Sequence, residues 1–130
     1  MANRKEHIKT GAFAGGAAGF SLNILYQVQK IKNGKQKEFE YWPLVLWTAG
    51  GVAVGAVGGM LPDLLEPAKN PRHRKFFHSV TSGLIVLGGV VAVNKSQLPI
   101  EAKVVCSALG VGYLSHLVLD GKTKFGLPIV

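Results

Sequence analysis

The stretch WPLVLWTAGGVAVGAVGGML, Trp42 to Leu61, runs for twenty residues without a charge. At a helical rise of 1.5 Å per residue it covers about 30 Å, the thickness of a hydrocarbon core, so it reads as a transmembrane helix. It also carries Gly51, Gly55 and Gly59 at four-residue intervals, a small-residue stripe that lets another helix backbone approach closely. In an ordinary soluble helix each such glycine would cost about 1 kcal/mol relative to Ala, so tight packing is its natural use.

Three further apolar segments flank this one, at Gly11–Val28, Ser79–Val93 and Val104–Leu119. They are shorter or carry polar atoms, at Ser21, Asn23, Thr81 and Ser115, and each alone fits a span or a buried core helix equally well. Once the second segment spans, its neighbours must pack on it or return the chain. The expected architecture is all-α, one domain over 1–130, a bundle of about four apolar transmembrane helices. Punctuation agrees: Pro43 suits a first helical turn, Pro62 closes segment two, and Gly121 suits a C-terminal stop. Asn70-Pro71 resembles an N-cap opening a helix that would carry His73 and His78, and Lys95 to Pro99 reads as a turn. Tyr41, Trp42 and Trp47 suit an aromatic belt. Gly11 to Leu25 follows a basic start but lacks a small-residue cleavage pattern, and is read as a retained first helix.

Net charge is +8. The basic residues scatter through the polar stretches without interleaved aromatics, which gives no strong nucleic-acid signal and favours membrane lipids, with their anionic headgroups, as partners. The lone Cys106 excludes an intramolecular disulfide and reads as a small core residue. Glycine-rich helix faces also permit a homo-oligomer.

In an up-down-up-down bundle, the start of helix one, the end of helix two, the start of helix three and the end of helix four share one end. Those positions hold His7, then Asp63 and Glu66, then His73 and His78, then His116 and Asp120. His116 and Asp120, at i and i+4, can present an imidazole nitrogen and a carboxylate oxygen to one cation. The plain alternative is a hydrogen-bonded core histidine beside a helix-terminal carboxylate, although the helix dipole disfavours Asp120 there without a positive partner. His73 and His78 lie about 140° apart on an uninterrupted helix, so they face one site only if the helix begins after His73. Arg74 could clamp a phosphate through its planar fork, or bind lipid headgroups. Lys and Arg number nine at the motif end against six at the other, which favours a cytoplasmic motif face.

These residues resemble the YdjM-like (DUF457) inner-membrane metal-dependent hydrolase family over most of the chain. The carriers are His7 with Gly11 and Gly15, the Leu61-Pro62-Asp63 phrase, His73-Arg74 with His78-Ser79, and Gly112 to Asp120 followed by Thr123 and Gly126. Two positions depart from the family pattern: Leu65 then Glu66 stand where a second aspartate is usual, and Phe77 where threonine often precedes the histidine. The resemblance implies a fold similar to the zinc phospholipase C/P1 nuclease-like fold, and phosphoester hydrolysis by analogy.

The function so implied is a multi-pass inner (plasma) membrane hydrolase acting on a lipid or nucleotide phosphoester with metal-activated water. Zn2+, one ion or two, suits the mixed donor set, with Mn2+ open. The expected ligands are His7, Asp63, Glu66, His73, His78, His116 and Asp120, with Glu66 as ligand or general base and Arg74 on the phosphate. The competing expectation is a non-catalytic membrane scaffold, pore or regulatory subunit that keeps a structural metal or a polar cluster.

Overall fold

A computed structural model describes residues 3–67, 76–122 and 126–129. Among these residues four helices follow one another: α1 (Arg4–Lys32), α2 (Tyr41–Leu65), α3 (Val80–Lys95) and α4 (Ile100–Gly121), with a 3-10 turn, Phe76–His78, ahead of α3. Among the described residues there is no strand. The four expected segments are thus present as helices; α1, α2 and α4 extend beyond their apolar runs at both ends, and α3 starts one residue later than its run and ends two residues later. Pro43 lies in the first turn of α2, and α4 ends at Gly121, as the sequence predicts.

Two boundaries differ. Pro62 does not close α2 but lies inside it, buried, and the helix runs on to Leu65. Proline costs a helix the donor to the carbonyl four residues back, here Gly58, without forbidding the turns that follow. His78 does not ride on a helix begun at Pro71. It closes the 3-10 turn, and α3 starts two residues later with Ser79 as N-cap, whose Oγ accepts from the Ser82 N–H at 3.1 Å. Asn70 and Pro71 lie outside the described residues.

The glycine stripe of α2 packs against another helix of the same chain. A Cβ at Gly15 would fall on the carbonyl oxygen of Gly51, and one at Gly55 on that of Gly11. Likewise Gly11 meets Gly59, and Gly19 meets Trp47 and Thr48. Each step of four residues along α1 is matched by four residues back along α2, an antiparallel register in which both backbones touch. Gly55 also receives α4, since a Cβ at Gly112 would strike its carbonyl. Three helices therefore meet at backbone distance.

The bundle is not a square of four equivalent helices. α1, α2 and α4 pack mutually, while α3 packs on α4 and the 3-10 turn. Apart from Pro62, the buried apolar side chains among the described residues, Val104, Ala108, Tyr113 and Leu117, belong to α4, the central helix; Cys106 of the same helix is exposed and not the core residue its apolar surroundings suggest, because it lies on the outward face.

α1 is apolar on the outside. Its buried positions are His7, Gly11, Gly15, Gly16, Gly19, Asn23 and Gln27, whereas Phe13 and Leu25 are 80% and 65% exposed. Leu84, Ile85 and Leu87 of α3 and Val45 and Val57 of α2 are exposed as well. Water would penalise such a surface; lipid would not. By length and composition α2 and α4, of 25 and 22 residues, are candidate membrane spans.

At the end away from the histidines, Gln27 ties α1 to the entry of α2. Its Nε2 donates to Asn23 Oδ1 at 2.6 Å and to the Glu40 carbonyl at 2.7 Å. Its Oε1 accepts from the Glu40 N–H at 2.7 Å and from Gln36 Nε2 at 2.9 Å. Both donors and both lone pairs of the amide are used, as burial requires.

Candidate metal centre

Four elements deliver the polar cluster. Asn3 caps α1 in a reciprocal box with Glu6, which fixes the first turn and sets His7 just inside the helix, on the face of Gly11 and Gly15. The last turn of α2 carries Asp63, and its C-cap is Glu66. The 3-10 turn carries His78, and the last two turns of α4 carry His116 and Asp120. His7, His78, His116 and Asp120 are buried. Asp63, with 28% of its side chain exposed, is more open than Glu66 at 13%.

His116 is the most constrained. Its Nδ1 lies 2.7 Å from the carbonyl oxygen of Gly59. A carbonyl only accepts, so Nδ1 carries the proton and Nε2 of the neutral ring carries the lone pair. That Nε2 is buried without a hydrogen-bond partner and lies 3.3 Å from Asp120 Oδ2 and 3.6 Å from Asp63 Oδ1. A lone pair facing two carboxylate oxygens is repulsive unless a second proton or a metal ion stands between them.

The neighbours favour the ion. His78 presents Nε2 to the same carboxylates, 3.3 Å from Asp63 Oδ1 and 3.8 Å from Asp120 Oδ2. Its Nδ1, on the other side of the ring, lies 3.0 Å from Glu66 Oε2. His7 stacks on His116, ring centroids 3.6 Å apart and planes 17° from parallel, with Nε2 3.5 Å from Asp120 Oδ1. Its Nδ1 is a second buried nitrogen without a partner. Ligand atoms of His7, Asp63 and His116, and again of His78, His116 and Asp120, lie within 4.8 Å of one another. Three carboxylates gathered around three imidazoles leave a negative excess that a divalent cation would offset.

Burial and hydrogen bonds pull His78 in opposite directions. Burial lowers its pKa, but the hydrogen bonds with Asp63 and Glu66 and the charge of Asp120 outweigh that and raise it above 6.5.

Six of the expected site residues thus come together: His7, Asp63, Glu66, His78, His116 and Asp120. His73 and Arg74 lie outside the described residues. Glu66 faces the Nδ1 edge of His78 and belongs to neither converging group. Reasoning from residue types missed Gly59, whose contribution is a carbonyl oxygen. The available signal was its place as last glycine of the stripe, one turn before Asp63.

A family model described as YdjM inner membrane protein matches residues 1–130. The chain belongs to that family. No curated protein and no solved structure matches it.

Proposed function

We propose that this member of the YdjM inner membrane protein family is a multi-pass, metal-dependent phosphoester hydrolase whose centre lies at the cytoplasmic end of its spans. The observation that carries the reading is His116 Nε2, buried, without a hydrogen-bond partner and aimed between Asp63 and Asp120, on a ring whose Nδ1–H is taken by the Gly59 carbonyl.

His116, Asp120, Asp63 and His78 hold the ion in this reading, with His7 as a further donor. Zinc suits the nitrogen and oxygen set, and Mn2+ fits it as well. A divalent ion at this place supplies Lewis acidity toward a phosphoryl oxygen and lowers the pKa of water. The residues around it orient the ligands. The Gly59 carbonyl holds the proton of His116 on Nδ1, and Glu66 does the same for His78, so each ring offers Nε2. Burial of His7, His116 and Asp120 keeps water from the inner side. Asp63, more open than Asp120 or Glu66, marks the side from which a phosphoester would enter. The zinc phospholipase C/P1 nuclease-like fold that the family resemblance implies points to the same chemistry by analogy. Exposed apolar side chains on α1, α2 and α3 support embedding in lipid, and the nine-to-six basic bias supports the cytoplasmic side.

The test is metal content by elemental mass spectrometry on detergent-purified protein, beside His116→Ala/Asp120→Ala, followed by hydrolysis of a chromogenic phosphodiester. Near-stoichiometric zinc or manganese, lost in the double variant together with hydrolysis, is expected. Protein that takes up neither ion on reconstitution would overturn the reading in favour of a scaffold.

A further inference from the structure

His78 reaches the cluster from a 3-10 turn of three residues, Phe76–His78, and not from a long helix. So short a turn makes few backbone hydrogen bonds of its own, and its carbonyls need other partners where they are buried. The turn closes through the Ser79 N–H on the Phe76 carbonyl at 3.1 Å, and Ser79 Oγ donates to the same oxygen at 2.6 Å. Both bonds are local and travel with the turn.

The next carbonyl, that of Phe77, is held from another helix. Tyr113 of α4, a buried residue, donates its hydroxyl to that oxygen at 2.5 Å. Ser82 Oγ of α3, also buried, lies 3.2 Å from the same carbonyl and 3.3 Å from the Tyr113 hydroxyl, so two hydroxyls gather at one main-chain oxygen.

The Phe77 carbonyl belongs to the planar peptide unit that ends at the His78 nitrogen. Holding that oxygen holds the plane, and with it the direction in which the His78 side chain departs. Tyr113 also stands three residues before His116, on the same face of α4. One helix thus carries His116 and Asp120 and grips, by a single hydroxyl, the backbone that aims His78 at them. His78 Nε2 lies 3.8 Å from Asp120 Oδ2, and His116 Nε2 lies 3.3 Å from the same atom. Because the accepting atom is main chain, the grip does not depend on the side chain at position 77.

We propose that Tyr113 is a positioning residue of the metal centre, whose hydroxyl sets His78 Nε2 toward the ion held by His116 and Asp120. The proposal rests on the metal-dependent reading above and extends it beyond the ligands. Tyr113→Phe keeps the ring in the core and removes only the grip on Phe77.

The experiment measures zinc affinity of the full chain in maltoside micelles, by competition against a chromogenic chelator. Wild type, Tyr113→Phe, His78→Ala and the double variant are compared, with the visible absorption of the Co2+-loaded proteins alongside. Tyr113→Phe is expected to weaken zinc about tenfold, as loss of a group that orients a ligand does. It should add nothing in the His78→Ala background, because the hydroxyl acts through that ring. Its Co2+ band should move toward that of His78→Ala. Ser107→Ala removes another buried hydroxyl of α4, one that accepts from Asn94 Nδ2 at 2.8 Å, and should leave zinc affinity unchanged. A Tyr113→Phe protein with a lowered thermal midpoint but wild-type zinc affinity and Co2+ spectrum would overturn the positioning role and leave the metal centre standing. So would an effect equally large without His78, or an equal one in Ser107→Ala. Weakening that runs through His78, in a protein that cleaves no phosphoester, would keep the role and remove the hydrolase. A wild type that takes up no ion would end both.

Discussion

The Nδ1–H of His116 donates to the carbonyl of Gly59 at 2.7 Å, and Gly59 is also the glycine on which the start of α1 rests. One residue therefore fixes the tautomer of a candidate ligand and the approach of the helix that brings His7. Packing and chemistry are coupled at that point.

Replacing Gly59 by alanine would place a Cβ 2.5 Å from the His7 carbonyl oxygen and 3.2 Å from Gly11 Cα, both backbone atoms. Such overpacking is expected to cost about 1–3 kcal/mol and to displace the stacked pair of His7 and His116. Thermal unfolding in detergent should show a lowered midpoint and metal analysis a lost ion. Gly50→Ala, where a Cβ has nothing within 4 Å, should change neither.

Glu66→Gln keeps an acceptor for His78 Nδ1 and removes the charge. As an orienting partner its loss should weaken metal affinity about 10–100-fold, in the range found for carboxylates that orient a histidine ligand. Competition against a chelator of known affinity measures this. Complete loss of the ion, equal to that in His116→Ala, would make Glu66 a direct ligand.

The pH dependence follows from His78, whose pKa is raised above 6.5. A group with a raised folded pKa stabilises the folded state fully below its unfolded value and loses that contribution as pH rises through the folded one. The metal-free protein should therefore lose this part of its stability as pH climbs above 6.5. A metal needs the neutral ring, so affinity should strengthen over the same interval. A metal affinity flat from about pH 6 to pH 8 would remove His78 from the ligand set.

Ala53, near the middle of α2, faces outward. If α2 spans the bilayer, Ala53→Arg should cost about 2.5–3.5 kcal/mol on insertion. On a helix exposed to water it should be nearly neutral. A glycosylation-based insertion assay in microsomes separates the two.

Gln27→Leu would leave the Glu40 N–H and carbonyl and the Asn23 amide oxygen without the partners they have now. Glu40 is exposed and its groups can turn to water, so the expected loss is about 1–3 kcal/mol, for the buried Asn23 amide oxygen. Because Gln27 lies at the opposite end of α1 from His7, bound zinc should retain its stoichiometry, and unfolding followed with and without the metal would show this.

Four helices, the glycine contact stripe, and the gathering of His7, Asp63, Glu66, His78, His116 and Asp120 at one end were legible in the residue order alone. These follow from local rules: 3.6 residues per turn sets which side chains share a face, and short connections reverse the chain. The match of Gly11 to Gly59, the central place of α4, the continuation of α2 through Pro62 and the placing of His78 on a 3-10 turn were decided by tertiary structure. So were the His116 tautomer and the position of Glu66 behind His78. Each depends on which backbone atoms of distant segments touch. Residue spacing carries no such information, because glycine stripes can interlock in more than one register until the remaining side chains select one.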